Sequence, residues 1–346
     1  MLAANPVGKW LAATGMESDI VISTRVRLAR NLVDVPFIVK ASASDQARVV
    51  DTVRWALQDS GYLKRGKFID NEQLTEEQGQ FLLERHLVSP DFIEAKTKRG
   101  LYVSRDETIS LMVNEEDHLR FHALVSGFDF PSAFDVVSKL DERLESQVGY
   151  AFSSKFGFLT ACPTNVGTGM RASVLVHLPG LVLTKEIEKV LRGAVHIDLV
   201  VRGLYGEGTE TKGNFFQISN QKTLGRSESE ILETVTDSTR QIVDYEHKAR
   251  EYLIKNLRVE IEDKVFRSFA LLKSARILSS DEAINLLATV RLGVSLGIIN
   301  QVNLSRVSKL LILVLPENLQ AMLGERLKLP ERDERRATFV RESLVR

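Results

Sequence analysis

Apolar and polar positions change rhythm along this chain. "DIVISTRVRLARNL", residues 19–32, alternates as a strand does before loosening into a basic segment. "SDQARVVDTVRWALQDSG", residues 44–61, has apolar residues at helical spacing and Gly61 as its stop. "TEEQGQFLLERHLVS", residues 75–89, predicts a second helix whose acidic start and basic end suit the helix dipole. From about residue 100 to 220 the text becomes short strand-like runs such as "RGLYVS", "TISLMVN", "HLRFHALVSG", "GFLTAC", "RASVLVHL", "HIDLVVRGLYG" and "NFFQISNQ". Gly, Asn, Asp and Pro separate them, and neighbours lie close enough to pair as antiparallel hairpins. One helix, "FDVVSKLDERLESQ", interrupts the series.

At residue 227 the character changes. Ser227 with Glu230 forms a capping-box pattern ahead of a long helical segment, and Ser279 with Glu282 forms another. Beyond about 256 nearly everything reads as helix. The expected fold is α+β: a mainly antiparallel β-sheet flanked by helices, followed by a small all-α domain. The expected domains are residues 1–256 and 257–346.

Composition narrows the function classes. The 346 residues include 46 Lys+Arg and 46 Asp+Glu, so no net field draws the chain to nucleic acid or an anionic membrane. Cys162 is the only cysteine, which excludes an intrachain disulfide and points to a reducing compartment. "MLAANPVGKWLAATG" lacks a basic region followed by an apolar run, and "KLLILVLPENL" is too short to span a bilayer. A soluble cytoplasmic protein is expected.

Four segments carry candidate chemistry. In "STRVRLAR", residues 23–30, strand geometry puts Arg25 and Arg27 on one face, about 7 Å apart. Two such forks suit neighbouring phosphates, although a solvated basic edge has the same pattern. In "VNEEDHLR", residues 113–120, Glu115, Glu116 and Asp117 stand side by side. Either solvent dilutes their repulsion or a cation belongs there. His118, Arg120 and His122 then alternate with Leu119 and Phe121, which predicts a polar cleft wall of mixed sign. "CPTNVGTGMRASV", residues 162–174, is a Gly-rich loop whose amides can approach an anion, with Cys162 at its mouth and Arg171 leaving it beside Ser173. A lone cysteine is more often a small buried hydrophobe than a thiolate. "VRGLYGEGTETKGN", residues 201–214, adds Arg202 and Glu207 on a loop able to fold over a ligand. Arginines with Gly-rich loops fit a nucleoside triphosphate. Paired carboxylates fit a cationic acceptor that must lose a proton. A guanidinium has a pKa above about 12 and becomes nucleophilic only when held and deprotonated as transfer proceeds.

These four segments, in this order, resemble the signatures of the phosphagen (guanidino) kinases. The resemblance implies that Arg25, Arg27, Arg120, Arg171 and Arg202 clamp the phosphates of ATP. It implies nucleotide contacts along Ser23–Thr24–Arg25–Val26–Arg27, at Ala172, Ser173, Val174 and Leu175, and along Gly203–Leu204–Tyr205–Gly206–Glu207, with His86 stacking on the adenine. Glu116 and Glu207 are implied to orient the acceptor guanidinium and take its proton, and Cys162 to pair with its non-reacting nitrogens. Mg²⁺ is implied to be held by the nucleotide and water, with no protein metal site.

Two departures bear on the acceptor. Relatives that act on free creatine or arginine carry a helical domain before the first segment, which here begins at Ser23. Leu204 and Tyr205 also replace the Thr-Arg usual in arginine kinases. The chain thus resembles the bacterial McsB-type protein-arginine kinases. "RDERRA", residues 332–337, supports this: Arg332, Asp333, Arg336 and Ala337 match a phosphoarginine-binding, allosteric motif of that branch. The same string alone reads as an exposed helix with close-range ion pairs. The resemblance further implies protein substrates marked for a Clp-type protease, a stress-gene repressor as target, a zinc-binding activator protein and a homodimer. The competing readings are a free-arginine kinase and a non-catalytic phosphoarginine-binding adaptor.

Overall fold

The computed structural model describes residues 7–95, 97–203 and 211–345. In chain order the elements are β1 (Val21–Arg30), α1 (Ala43–Asp59), β2 (Gly66–Asp70), α2 (Glu76–Glu84), α3 (Pro90–Glu94), β3 (Gly100–Ser104), β4 (Ile109–Val113), β5 (Leu119–Ser126) and α4 (Phe130–Val148). There follow β6 (Phe152–Ser153), β7 (Gly157–Phe158), β8 (Met170–His177), α5 (Pro179–Leu183), α6 (Ile187–His196), β9 (Leu199–Gly203) and β10 (Phe215–Asn220). Six helices complete the chain: α7 (Glu228–Asn256), α8 (Arg258–Ser274), α9 (Ser280–Ser295), α10 (Leu304–Leu313), α11 (Pro316–Leu323) and α12 (Leu329–Val345).

The main sheet runs β2-β3-β4-β5-β1-β8-β10-β9, and each neighbouring pair is antiparallel. β1 lies inside, between β5 and β8, because both its faces and both its edges find partners. Alternation decides the faces. Val26, Leu28, Phe121, Ala123, Ala172, Val174 and Ile218 point into a core completed by Val50 and Val53 of α1, Leu140 of α4 and Val235 of α7. The arginines point the other way.

Local signals set most helix starts. Ser42 and Asp45 close a capping box on α1, and Ser227 and Glu230 close one on α7. Ser279 caps α9 by accepting the Glu282 amide. The helix expected over 75–89 is shorter than its pattern. α2 stops at Glu84, and His86 turns to φ +59°. Arg85 is drawn inward instead, onto Glu107 and the Asn318 side chain, and leaves the helix dipole unserved.

A second core joins α7, α8, α9, α10 and α12 to the start of the chain and to β5: Trp10, Leu11, Ile22 and Leu124 pack with Leu253, Val265, Leu287, Val307 and Val340. Beside it, Arg250 bridges Glu246 and Asp19, and Arg291 reaches the carbonyls of Ser18 and Asp19. Among the described residues no helix is long and apolar enough to cross a membrane.

Candidate active site

Cross-strand partners in an antiparallel sheet share a face. Arg27 lies opposite His122 on β5 and Arg171 on β8, while Arg25 lies opposite Leu124 and Ser173. Arg120 is opposite Ala29. Ser23 is opposite Leu175, Leu175 opposite Gln217, and Gln217 opposite Arg202. Arg25, Arg27, Arg120, Arg171 and Arg202 therefore stand on one face across four strands. Thr24, Val26, Ala172 and Val174 alternate to the other face. Val26, Ala172 and Val174 fill the core there, and the Thr24 hydroxyl donates to the Gly127 carbonyl. They set the register that presents their neighbours, and Val174 also lines the small cavity near Ser23 and Arg25.

This face is charged beyond its compensation. Burial, then Arg120 and Arg171, bring Arg25 down to about 10. Burial, then Arg120, Arg25 and Arg171, push Arg27 well below its ordinary value, and Glu115 only partly offsets them. Arg171 is lowered by burial, Arg202 and Arg120, and its Nε donates to the Ser219 hydroxyl at 3.2 Å. The buried Nε atoms of Arg27 and Arg120 have no hydrogen-bond partner among the described residues. Clustered cations with unpartnered donors form a receptor for a multiply charged anion.

The acidic turn divides its three carboxylates. Glu115 is buried with both oxygens 2.6 Å from Arg120 Nη1, and it also accepts from the Ser89 hydroxyl and the Glu116 amide. Asp117 is buried and accepts from Asn31 Nδ2 at 2.7 Å and from the Ala161 amide at 2.6 Å. Glu116 alone is exposed, and its carboxylate has no partner among the described residues. A protein cation does sit in the turn, and it leaves one carboxylate free.

His118 corrects the expected cleft wall. It precedes β5, its Nδ1 accepts the Leu32 amide, and its Nε2 therefore carries the proton and donates to the Pro36 carbonyl. It braces the chain, and Arg120 and His122 wall the cleft. The loop after Cys162 differs from expectation too. The Asn165, Val166 and Gly167 amides donate to the carbonyls of Cys162, Pro163 and Phe158, so these three are not turned to an anion. Gly167, at φ +112°, packs against Thr223 where a β-carbon would lie 2.5 Å from its carbonyl oxygen. Cys162 is partly exposed, 3.0 Å from the Thr164 hydroxyl and within electrostatic reach of Arg171. Asp117, by holding Ala161, fixes Cys162 relative to Glu116.

At the other end, Trp10, Ser23, Arg25, His86, Ser173 and Leu175 line a cavity of about 30 Å³. The His86 ring meets Trp10 edge-on at 5.6 Å. Burial and then Arg25 lower His86 to about 4, so the ring is neutral at physiological pH.

Leu204, Tyr205, Gly206 and Glu207 lie outside the described residues; Gly203 ends β9. In the helical part, Arg336 and Ala337 are buried. Arg336 donates to the carbonyls of Val314 and Leu278 at 2.7 Å and pairs with Asp333. Arg332 and Asp333 remain partly exposed. Sequence reasoning missed Asn31, Ser219 and Trp10. Ser219 was readable from the alternation in "NFFQISN"; Asn31 and Trp10 carry no local signal.

A family model described as "ATP:guanido phosphotransferase, C-terminal catalytic domain" matches residues 48–249, and one described as "Protein-arginine kinase McsB C-terminal domain" matches residues 258–346. A protein-arginine kinase of Brevibacillus brevis is 44% identical over 98% of this chain and 96% of its own. One of Symbiobacterium thermophilum is 42% identical over 99% and 98%. Among solved structures, a lombricine kinase superposes with TM-score 0.61 at 25% identity, covering 71% of this chain and 70% of its own. The duplicated taurocyamine kinase of Schistosoma mansoni, with bound transition state analog components, also gives 0.61 at 25% identity, covering 72% of this chain and 35% of its own. With its arginine-lined sheet face and its match along nearly the full length of the Brevibacillus and Symbiobacterium relatives, the chain belongs to the protein-arginine kinases of the ATP:guanido phosphotransferase family.

Proposed function

We propose that this protein transfers the γ-phosphoryl group of Mg-ATP to arginine side chains of other proteins. The observation that carries the reading is the face of Arg25, Arg27, Arg120, Arg171 and Arg202, charged beyond its compensation and bordered by the free carboxylate of Glu116. The arginines hold the phosphates, and Ser23, Ser173 and Leu175 line the approach to His86, which takes the adenine against its neutral ring. Mg²⁺ arrives with the nucleotide. A guanidino nitrogen of the acceptor attacks the γ-phosphorus in line, the bond to the β,γ-bridging oxygen breaks, and ADP leaves. The proton of the attacking nitrogen passes to a carboxylate. Glu116, with Glu207, serves for this, and Cys162 faces the nitrogens that do not react. The transition state is stabilised by positioning and charge.

The names of the full-length relatives favour a protein acceptor over free arginine. By the same kinship, Arg332, Asp333, Arg336 and Ala337 form a phosphoarginine pocket with an allosteric role. In it Arg332 and Asp333 meet the ligand, while Arg336 shapes the pocket from below. A cytoplasmic homodimer, acting with a zinc-binding activator to mark proteins for a Clp-type protease and to inactivate a stress-gene repressor, completes the reading.

The test is incubation with Mg-ATP and an unfolded arginine-containing protein, beside free arginine, with ³¹P detection before and after mild acid. Acid-labile phosphate on the protein alone is expected. Phosphate on free arginine would replace the reading with a small-guanidine kinase, and transfer to neither, with activator present, would leave the adaptor.

A further inference from the structure

We propose that Asn318 of α11, together with Glu84, is a positioning residue for the nucleotide end of the arginine face, so that the helical part of the chain completes the catalytic site. The inference rests on the ATP reading above. Glu84 is buried and accepts the Glu317 amide at 3.1 Å, the Asn318 amide at 2.9 Å and the Asn318 side-chain amide at 2.8 Å. This carboxylate seizes the first turn of α11 through the amides that a helix start leaves without internal partners. The Asn318 side-chain oxygen then accepts Arg85 Nε at 2.7 Å. Asn318 thus holds two consecutive residues of the catalytic part, and the next residue is His86.

Both rings of the cavity hang from this network. Arg85 is buried, lies over the Phe81 ring and pairs with Glu107. Glu107 sits against Gly8: a β-carbon on Gly8 would lie 2.9 Å from Glu107 Oε2 and 2.7 Å from the Trp10 ring. Trp10 follows two residues later. His86 takes a left-handed backbone, φ +59°, which carries a cost for any residue with a β-carbon and persists where the surroundings hold it. Arg85, anchored by Glu107 and Asn318, immediately precedes it and is part of those surroundings. Leu124 and Leu175, which stand on the arginine face, also pack with the second core. The Ser23 end of the face is therefore shaped by the helices of the second core, whereas Arg120 is held by Glu115 of the acidic turn and Arg171 by Ser219 of β10.

Two ligands separate the ends. Tripolyphosphate offers phosphates to the arginines and nothing to His86; Mg-ADP offers both. Calorimetric titration of the full chain is expected to show that Asn318→Ala weakens Mg-ADP by about tenfold, the effect of losing one hydrogen-bonded anchor to charged groups, and leaves tripolyphosphate within about twofold. In a Trp55→Phe background, Trp10 emission of the free variant is expected to move to the red. Glu84→Gln preserves size and keeps the Arg85 acceptors, is expected to shift Mg-ADP in the same direction by less, and carries the test should Asn318→Ala not fold. Equal losses for both ligands, or none, would overturn the inference while leaving the kinase reading intact. A wild-type protein that binds neither ligand would overturn the nucleotide reading itself, and the inference with it.

Discussion

Replacing Glu115 with glutamine separates two roles of one carboxylate. Glu115 is buried, and Arg120, its ion-pair partner, keeps 18% side-chain exposure. The substitution removes the anionic charge that the contacts with Arg120, Ser89 and the Glu116 amide share, and it replaces one accepting oxygen with an amide nitrogen that cannot accept, so either the Ser89 or the Glu116 contact is lost. Charge-assisted bonds contribute about 1.5–3 kcal/mol each against about 1 for neutral ones. Water reaching Arg120 recovers part of the loss, so the free protein should lose about 2–3 kcal/mol, or about 3–4 °C in Tm. Anion binding should move the other way. A phosphate about 7 Å from Glu115 is repelled by roughly 2 kcal/mol at an effective dielectric constant of about 20. Tripolyphosphate should therefore bind Glu115→Gln about tenfold tighter or more, and its thermal stabilisation should exceed that of the wild type. Equilibrium unfolding and calorimetric titration at one ionic strength measure both quantities. A variant that loses stability while binding tripolyphosphate unchanged or more weakly would refute the view that Arg120 faces an anion.

Glu116→Gln, which alters an exposed and unpartnered side chain, should leave stability within about 0.5 kcal/mol and lower kcat by about 10²–10⁴-fold; phosphoryl transfer at saturating Mg-ATP is the assay, and unimpaired turnover would remove Glu116 from the chemistry. Gly167→Ala places a β-carbon against the Thr223 carbonyl at a φ of +112°, so it should cost about 2 kcal/mol or more and displace Cys162, read as a fall in both Tm and kcat. The acid limb of stability offers a further check. Burial alone would raise Glu115, but Arg120, the Ser89 hydroxyl and the Glu116 amide together hold it below 4.5. Its stabilising contribution is thus complete above the unfolded value of 4.5 and disappears as pH falls through the lower folded value. Wild-type stability should drop more steeply than that of Glu115→Gln below about pH 4.5; parallel curves from urea unfolding across pH would contradict the pairing.

The expected antiparallel sheet with flanking helices agrees with the structure because its signals are local. β1, β5, β8 and β10 each carry an alternating stretch, and Ser42, Ser227 and Ser279 each stand at a helix start. α2 ran shorter than its pattern because Arg85 gains more from Glu107 and Asn318 than from its own helix end, and neither partner is near in sequence. The "RDERRA" string likewise reads as a charged surface, yet Arg336 is buried against the carbonyls of Val314 and Leu278. Apolar periodicity reports burial of side chains that need no partner; it says nothing about charged ones that are buried because they have one.

By itself, the sequence determined which side chains share a face. A strand's period of two puts Arg25 with Arg27 and separates both from Val26, whatever the strand later pairs with. Tertiary structure alone decided the charge state of that face and which acid beside it stays free. Glu115, Glu116 and Asp117 are equivalent as letters. They differ because Arg120 folds back on Glu115, because Asn31 and Ala161 arrive from distant segments to cover Asp117, and because nothing described reaches Glu116. Whether a charge is neutralised, desolvated or free depends on groups within a few ångströms in space, and alternation along one strand carries no record of them.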